Sequence, residues 1–326
     1  MKYDIYGIGH ALLDILVQAD DDFIKKTGYK KAGMHPIDSG FQRKLLDNLD
    51  MKKIRIIPAG AAVNTLMGIA NLGGKAFYCG KTGDDKYGKM YKDDLESAGV
   101  ETQIITSKTP TGSCVTMISP DTERTFFVFL GASQELKSDE INYNPASQSK
   151  IIYFTGYEIE NPVTRECMMK AISSADKNSK IAFDLADQGV VKRNKEFLKE
   201  FVEKHVDILF ANETETKAFL GEATHEAIKD LAKMCEVVVV KLREKGAVLV
   251  EKDNLKEIDI FRVKAIDSTG AGDLFAAGFL YGYTKDLPLD LCARIGSFVA
   301  SKTVSQIGAR LEKNLKKEVE ELIKNS

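Results

Sequence analysis

Asp267-Ser268-Thr269-Gly270-Ala271-Gly272-Asp273 runs directly into Leu274-Phe275-Ala276-Ala277-Gly278-Phe279. Two glycines around an alanine let the backbone turn tightly and approach a ligand closely. The segment that follows is apolar nearly all round, the mark of a helix buried in the core. A glycine turn opening such a helix aims the loop N–H groups and the positive helix end at one spot. That is an anion hole, suited to charge developing on a transferring phosphoryl group. Asp273 falls in the first helical turn, at the mouth of the hole, where a carboxylate can take a proton from an attacking hydroxyl. The plainer reading is a turn followed by a helix cap. Three small residues leading into so apolar a helix favour a site.

Working outward, apolar β-rich runs alternate with helical patterns. Residues 3–8 read as the first strand. Residues 64–72 read as a helix stopped by Gly73-Gly74, and 86–98 as a helix closed by Gly99. Strand and helix pairs follow at 151–155 and 163–175, 181–184 and 196–205, and 208–211 and 213–220. Strands at 237–241 and 247–251 and helices at 273–283, 290–304 and 315–323 complete the series. This alternation predicts an α/β fold with a mostly parallel central sheet covered by helices on both faces. Two segments break the rhythm. Residues 111–119 and 125–130 read as a hairpin turning at Pro120-Asp121-Thr122-Glu123, and 11–57 are more polar. The expected organisation is an α/β core of 1–14, 58–110 and 132–326, with 15–57 and 111–131 as a small β-lid grafted on it.

Composition narrows the partners. The 326 residues hold 46 Lys+Arg against 48 Asp+Glu, a net charge of -2, so no basic field advertises nucleic acid. The 5 cysteines are widely spaced with no C-x-x-C, which argues against a disulfide framework or zinc knuckle and suits a reducing compartment. Asp4 interrupts what would be a signal core, and no apolar run approaches membrane-spanning length. A cytoplasmic chain that binds a small molecule, with no membrane partner, is expected.

The motif at 267–273 resembles the C-terminal signature D-T-x-G-A-G-D of the ribokinase-like (PfkB-type) carbohydrate kinases. Ala59-Gly60-Ala61-Ala62-Val63-Asn64 resembles the family's G-G-x-x-x-N, and Gly80 to Gly88 matches its G-x-x-G-x-D-x-x-G. The resemblance runs from Gly7 to Ala309. It implies that Asp273 is the catalytic base and Gly270, Ala271 and Gly272 the anion hole, with Arg124 approaching the transferring phosphate. It implies that Asp14, Gly60 and Asn64 serve the acceptor. Asn212 and Glu215 match an N-x-x-E that organises Mg²⁺ and phosphates through water, although the pair is equally a helix capping box. Lys241, Gly246 and Thr269 fall on the nucleotide side. Arg243 stands where the family's T-x-G-x-x-G has its first glycine, and Ala59 replaces the first glycine of the N-terminal pair. The implied cofactors are ATP and Mg²⁺, with room for a monovalent cation such as K⁺; a homodimer joined through the lid is left open.

Within the family, Gly7-Ile8-Gly9-His10-Ala11-Leu12-Leu13-Asp14-Ile15 resembles the adenosine kinase opening G-x-G-N-P-L-L-D-I, with His10 for its asparagine. Leu12, Cys114, Leu130 and Tyr157 are then expected to make the flat apolar slot that a purine needs. The same residues read equally as lid packing. The acceptor is therefore expected to be adenosine, with a free sugar such as fructose or ribose as the alternative. An NAD-dependent dehydrogenase is more distant: Gly7-Ile8-Gly9 has Leu12 where G-x-G-x-x-G needs its third glycine. No P-loop motif occurs. Loss of catalysis in a purely binding relative is disfavoured by retention of Asp273 and both glycines.

Overall fold

The computed structural model describes residues 1–49, 54–121 and 123–325 of the chain. Its strands, in chain order, are β1 Tyr3–Ile8, β2 Leu12–Gln18, β3 Met34–Pro36, β4 Arg55–Ala59, β5 Ala76–Gly83, β6 Glu101–Ser107 and β7 Gly112–Ile118. They continue with β8 Arg124–Phe129, β9 Ser149–Thr155, β10 Lys180–Asp184, β11 Ile208–Asn212, β12 Val237–Lys241, β13 Ala247–Glu251 and β14 Asn254–Ile258. Among the described residues, 9 strands form one sheet in the order β14-β13-β12-β11-β10-β9-β1-β5-β6. From β12 across to β6 the pairs are parallel, and β13 and β14 close one edge antiparallel. Val237-Val238-Val239-Val240 is buried on both faces, as a central parallel strand covered by two helical layers must be.

A second sheet of 5 strands, in the order β3-β8-β7-β2-β4, lies over the first. The expected hairpin is β7 and β8, paired antiparallel with Cys114 opposite Val128; Thr122 of its turn lies outside the described residues, as do 50–53 of the expected lid segment 15–57. The lid sheet starts earlier than expected: β2 begins at Leu12, so a boundary after residue 14 would cut a strand whose partners all lie in the lid sheet. No helix among the described residues is long and apolar enough to cross a membrane.

The helix Ala271–Tyr283 sits in the core, with Leu274 to Gly282 all buried. It packs on the helix Leu289–Val304 where Gly278 faces Gly296; a Cβ on Gly278 would lie 2.8 Å from Gly296 Cα and from the Ile295 carbonyl oxygen. Replacing Gly278 by Ala gains roughly 1 kcal/mol of helix propensity, but the new methyl meets backbone that cannot rotate away, an overpacking cost of about 1–3 kcal/mol. Gly278→Ala is expected to lower the urea midpoint, and an unchanged or higher midpoint would show that the two helices are not in contact there.

Candidate active site

Adjacent parallel strands bring polar residues to their carboxyl ends. Asp184 ends β10, Asn212 ends β11 and Lys241 ends β12, with Asn212 registered against Lys241. Lys241 Nζ donates to Asp184 Oδ2 at 2.6 Å. Burial works against the lysine's charge, but Asp184 and Glu215 outweigh it and raise its pKa. Asn212 caps the helix Glu213–Leu220: its side chain accepts from the Glu215 amide at 2.9 Å, and Glu215 Oε2 accepts from the Asn212 amide at 2.8 Å. The capping box anticipated from sequence is thus the local geometry of the N-x-x-E pair. Burial, then Asp184, pushes the Glu215 carboxyl up to about 7, against the pull of Lys241.

The turn after Lys241 holds Arg243 at φ 56. The backbone keeps the left-handed conformation that the family's glycine suits, at a cost of roughly 1–2 kcal/mol for a residue with a side chain. Gly246 closes this turn by accepting from the Leu242 amide at 2.7 Å.

Gly270 enters the buried helix at φ 72, and a Cβ there would meet Ala309 Cβ at 2.2 Å. Only glycine satisfies both demands. The helix begins at Ala271, whose amide donates to the Ser268 carbonyl at 3.2 Å. Of the three residues expected in the hole, Ala271 spends its N–H on the turn, while Gly272 and Asp273 stand in the first turn, where amides have no intrahelical acceptor. The Asp273 carboxylate accepts from Asn64 Nδ2 at 2.8 Å. Thr65 Oγ1 donates to the Asp273 carbonyl at 3.1 Å, so the helix Ala61–Asn71, entered at Gly60, is tied to the helix Ala271–Tyr283. Burial pushes the Asp273 carboxyl up to about 7; the Asn64 hydrogen bond opposes this and Asp184 adds to it.

The second sheet presents its half-exposed face to the cleft. Leu12, Asp14 and Leu16 alternate onto that face of β2. Cys114 is registered with Asp14 and Val128 with Cys114, so apolar neighbours adjoin the carboxylate within the sheet. Burial pushes Asp14 up to about 6, against the pull of Arg124 and Arg310. Leu12 and the Leu130 carbonyl meet over Gly112. Tyr157 follows β9 in a short turn, its phenol pKa raised by burial and then by Asp187 and Asp273. His10 does not line the slot freely. It is 8% exposed, and its Nδ1 is 3.1 Å from Ser133 Oγ, which donates to the Leu130 carbonyl at 2.6 Å.

Arg124 is no solvated turn residue. Its Nη2 lies 2.7 Å from Asp267 Oδ1, and Nη1 hydrogen-bonds Thr269 Oγ1. Asp267 also accepts from the Thr269 amide at 2.9 Å and the Gly308 amide at 2.8 Å. Burial would raise its pKa, but Arg124 and these two amides outweigh burial and hold it below the usual carboxylate range.

Three residues on this cleft were not singled out from sequence as site residues: Asp184, Asp267 and Arg310. Asp184 carried a signal, since an acid ending a buried strand points into the crevice where open α/β sheets bind ligands. Arg310, which donates to the Pro58 carbonyl and to Asp94 at 2.8 Å, carried none. Asp14, Asn64, Asp267, Thr269 and Arg310 line one narrow cleft.

Residues 39–316 match the family model described as pfkB family carbohydrate kinase. An uncharacterized sugar kinase of Archaeoglobus fulgidus is 30% identical over 75% of this chain and 97% of its own length. Adenosine kinase from Sinorhizobium meliloti is 32% identical with TM-score 0.90, covering 98% of this chain and 99% of that one. A probable sugar kinase protein from Rhizobium etli is 30% identical, also with TM-score 0.90, covering 98% of both chains.

Arg124 spans lid and loop, so its removal tests whether the contact serves turnover. Arg124→Ala is expected to lower kcat by on the order of 10²-fold, the scale of losing one preorganised charge donor, and to raise the acceptor KM by much less. An effect confined to KM would place Arg124 in ground-state binding, and no effect would leave the ion pair purely structural.

Proposed function

The chain belongs to the pfkB family of carbohydrate kinases and is an ATP-dependent kinase of a sugar or nucleoside, and from that premise we propose that it phosphorylates adenosine at the ribose 5′-hydroxyl. The observation that carries the reading is the surround of Asp14. Its carboxylate shares a cleft with Asn64, and Leu12 and Cys114 share its face of the sheet. A carboxylate and an amide suit two neighbouring ribose hydroxyls. The apolar group Leu12, Cys114, Leu130 and Tyr157 suits a purine and offers nothing to a free sugar, whose faces are studded with hydroxyls. The adenosine kinase from Sinorhizobium meliloti supports the same acceptor, while the likeness to two sugar kinases favours a free sugar such as ribose or fructose as the second reading.

In this reading Asn64 binds the acceptor and orients Asp273, which takes the proton from the attacking hydroxyl. The amides of Gly272 and Asp273 stabilise charge on the transferred group, and Arg124 adds its charge from the lid. Residues 12–59 and 111–131 act as the lid that excludes water. Asp184 and Glu215 fit Mg²⁺. Asp184 ends β10 and Glu215 lies in the first turn of the helix that follows the neighbouring β11, and no group of 3 or more ligating side chains occurs among the described residues. That donor set suits a cation that keeps most of its waters and leans on phosphates. When bound, Mg²⁺ neutralises charge on the phosphate chain. Lys241, Gly246 and Thr269 flank the nucleotide side.

Asp273→Asn keeps the size and polarity of the side chain but removes the proton acceptor. Turnover is expected to fall by on the order of 10²-fold or more, with ATP binding largely kept in equilibrium titrations. Near-normal turnover in a folded variant would remove Asp273 from the role. Because Asp273 is held up at about 7 and works ionised, kcat should rise with pH through about 7 and lose that limb in the variant.

The acceptor is tested by kcat/KM for adenosine against ribose and fructose, expected to favour adenosine. Leu130→Asn should depress the nucleoside value far more than the sugar value. Efficient turnover of ribose or fructose with adenosine inert would overturn the nucleoside reading and leave the kinase standing.

A further inference from the structure

At the nucleotide end of the cleft an ammonium is held among carboxylates. The Lys241 side chain is 15% exposed and its partner Asp184 4%. Glu215 and Asp273 lie within electrostatic reach of the same charge. A Cβ on Gly272 would sit 3.2 Å from Lys241 Nζ. The ammonium therefore stands between Asp184 on one side and the backbone of Gly272, in the first turn of the buried helix, on the other. Lysine is a compact point charge on a flexible stem, so a small rotation of that stem moves Nζ from Asp184 to an oxygen seated over Gly272.

We propose that Lys241 is a resident counter-cation, keeping divalent metal off Asp184 and Glu215 until nucleotide arrives and then leaving Asp184 for a phosphoryl oxygen over Gly272. The inference rests on the kinase reading of this cleft and deepens it. The exchange balances charge: a phosphate oxygen replaces Asp184 as the partner of the ammonium, and Asp184 turns to the water shell of the metal. Without nucleotide, a divalent cation has to displace an ammonium already at hydrogen-bond distance, so metal and ATP enter together.

Calorimetric titration of Mn²⁺ into the nucleotide-free full-length protein reads this without any acceptor. Lys241→Met is expected to bind Mn²⁺ at least about tenfold more tightly than the wild type, while its KM for ATP rises by on the order of tenfold. The double variant Lys241→Met/Asp184→Asn should lose the gain in metal affinity. If the methionine variant does not fold, Lys241→Gln, which keeps a hydrogen-bond donor beside Asp184, is titrated in its place. Equal Mn²⁺ affinity in wild type and variant overturns the proposal, and so does an unmoved KM for ATP. Because the metal titration involves neither acceptor nor proton transfer, it is unaffected if adenosine proves the wrong acceptor or Asp273 the wrong base.

Discussion

The Asp267 carboxylate joins parts of the chain that are far apart in sequence. It accepts from Arg124 of the second sheet, from the Thr269 amide of the glycine turn and from the Gly308 amide of the loop after the helix Leu289–Val304. Hydrogen bonds to a charged group are each worth about 1.5–3 kcal/mol, and this one is 5% exposed, where an ionised carboxylate without partners would be untenable. The cleft depends on it: without Asp267 the glycine turn loses its brace and Arg124 loses the anion that positions it.

The same pattern explains which parts were legible in the sequence. Central strands read well because both faces are covered, so Val237–Val240 is an unbroken apolar run. The sheet edges were missed. Asn254–Ile258 buries only Ile258, and Glu101–Ser107 is nowhere fully buried; a half-solvated strand carries too few apolar residues to announce itself. The site divides along a similar line. Gly270 and Asp273 were readable because their jobs are local: a turn and a first helical turn. Asp267 stood in the same motif, but its work depends on Arg124 and Gly308, and no local pattern reports where those residues return. The start of the lid sheet was misread for the opposite reason. β2 is continuous with the core in sequence, and only its pairing with β4 and β7 assigns it to the second sheet.

Asn212 and Glu215 show why a structural and a functional reading need not compete. The capping box satisfies the amides of both residues and thereby sets the Glu215 carboxylate at the strand ends beside Asp184 and Lys241. A cap is a rigid device, and rigidity is what a carboxylate needs if it is to act through an ordered water rather than by direct ligation. Arg243 is a weaker compromise. The turn retains a glycine conformation with a charged residue in it, which preserves the backbone path between β12 and β13 at some cost in strain.

Asp267 and Asp273 lie six residues apart, one in the loop and one in the first turn of the helix it enters, and are pushed in opposite directions, and this separation decides which of them is suited to move a proton. Both are desolvated, so burial alone would raise both. Asp267 has a guanidinium and two backbone amides aimed at it, and these outweigh burial and keep it ionised across the working range. A carboxylate so well satisfied is a poor proton acceptor. Asp273 has the Asn64 hydrogen bond and the more distant Lys241 charge against its burial, and the neighbouring carboxylate Asp184 adds to the rise, so it titrates near neutrality, where proton transfer is most efficient. Environments that drive two acids apart are what divide structural from chemical labour in a site. Here the division follows from neighbours: the second sheet supplies the arginine that keeps Asp267 charged, and no cation of comparable reach pairs directly with Asp273, because Lys241 is committed to Asp184.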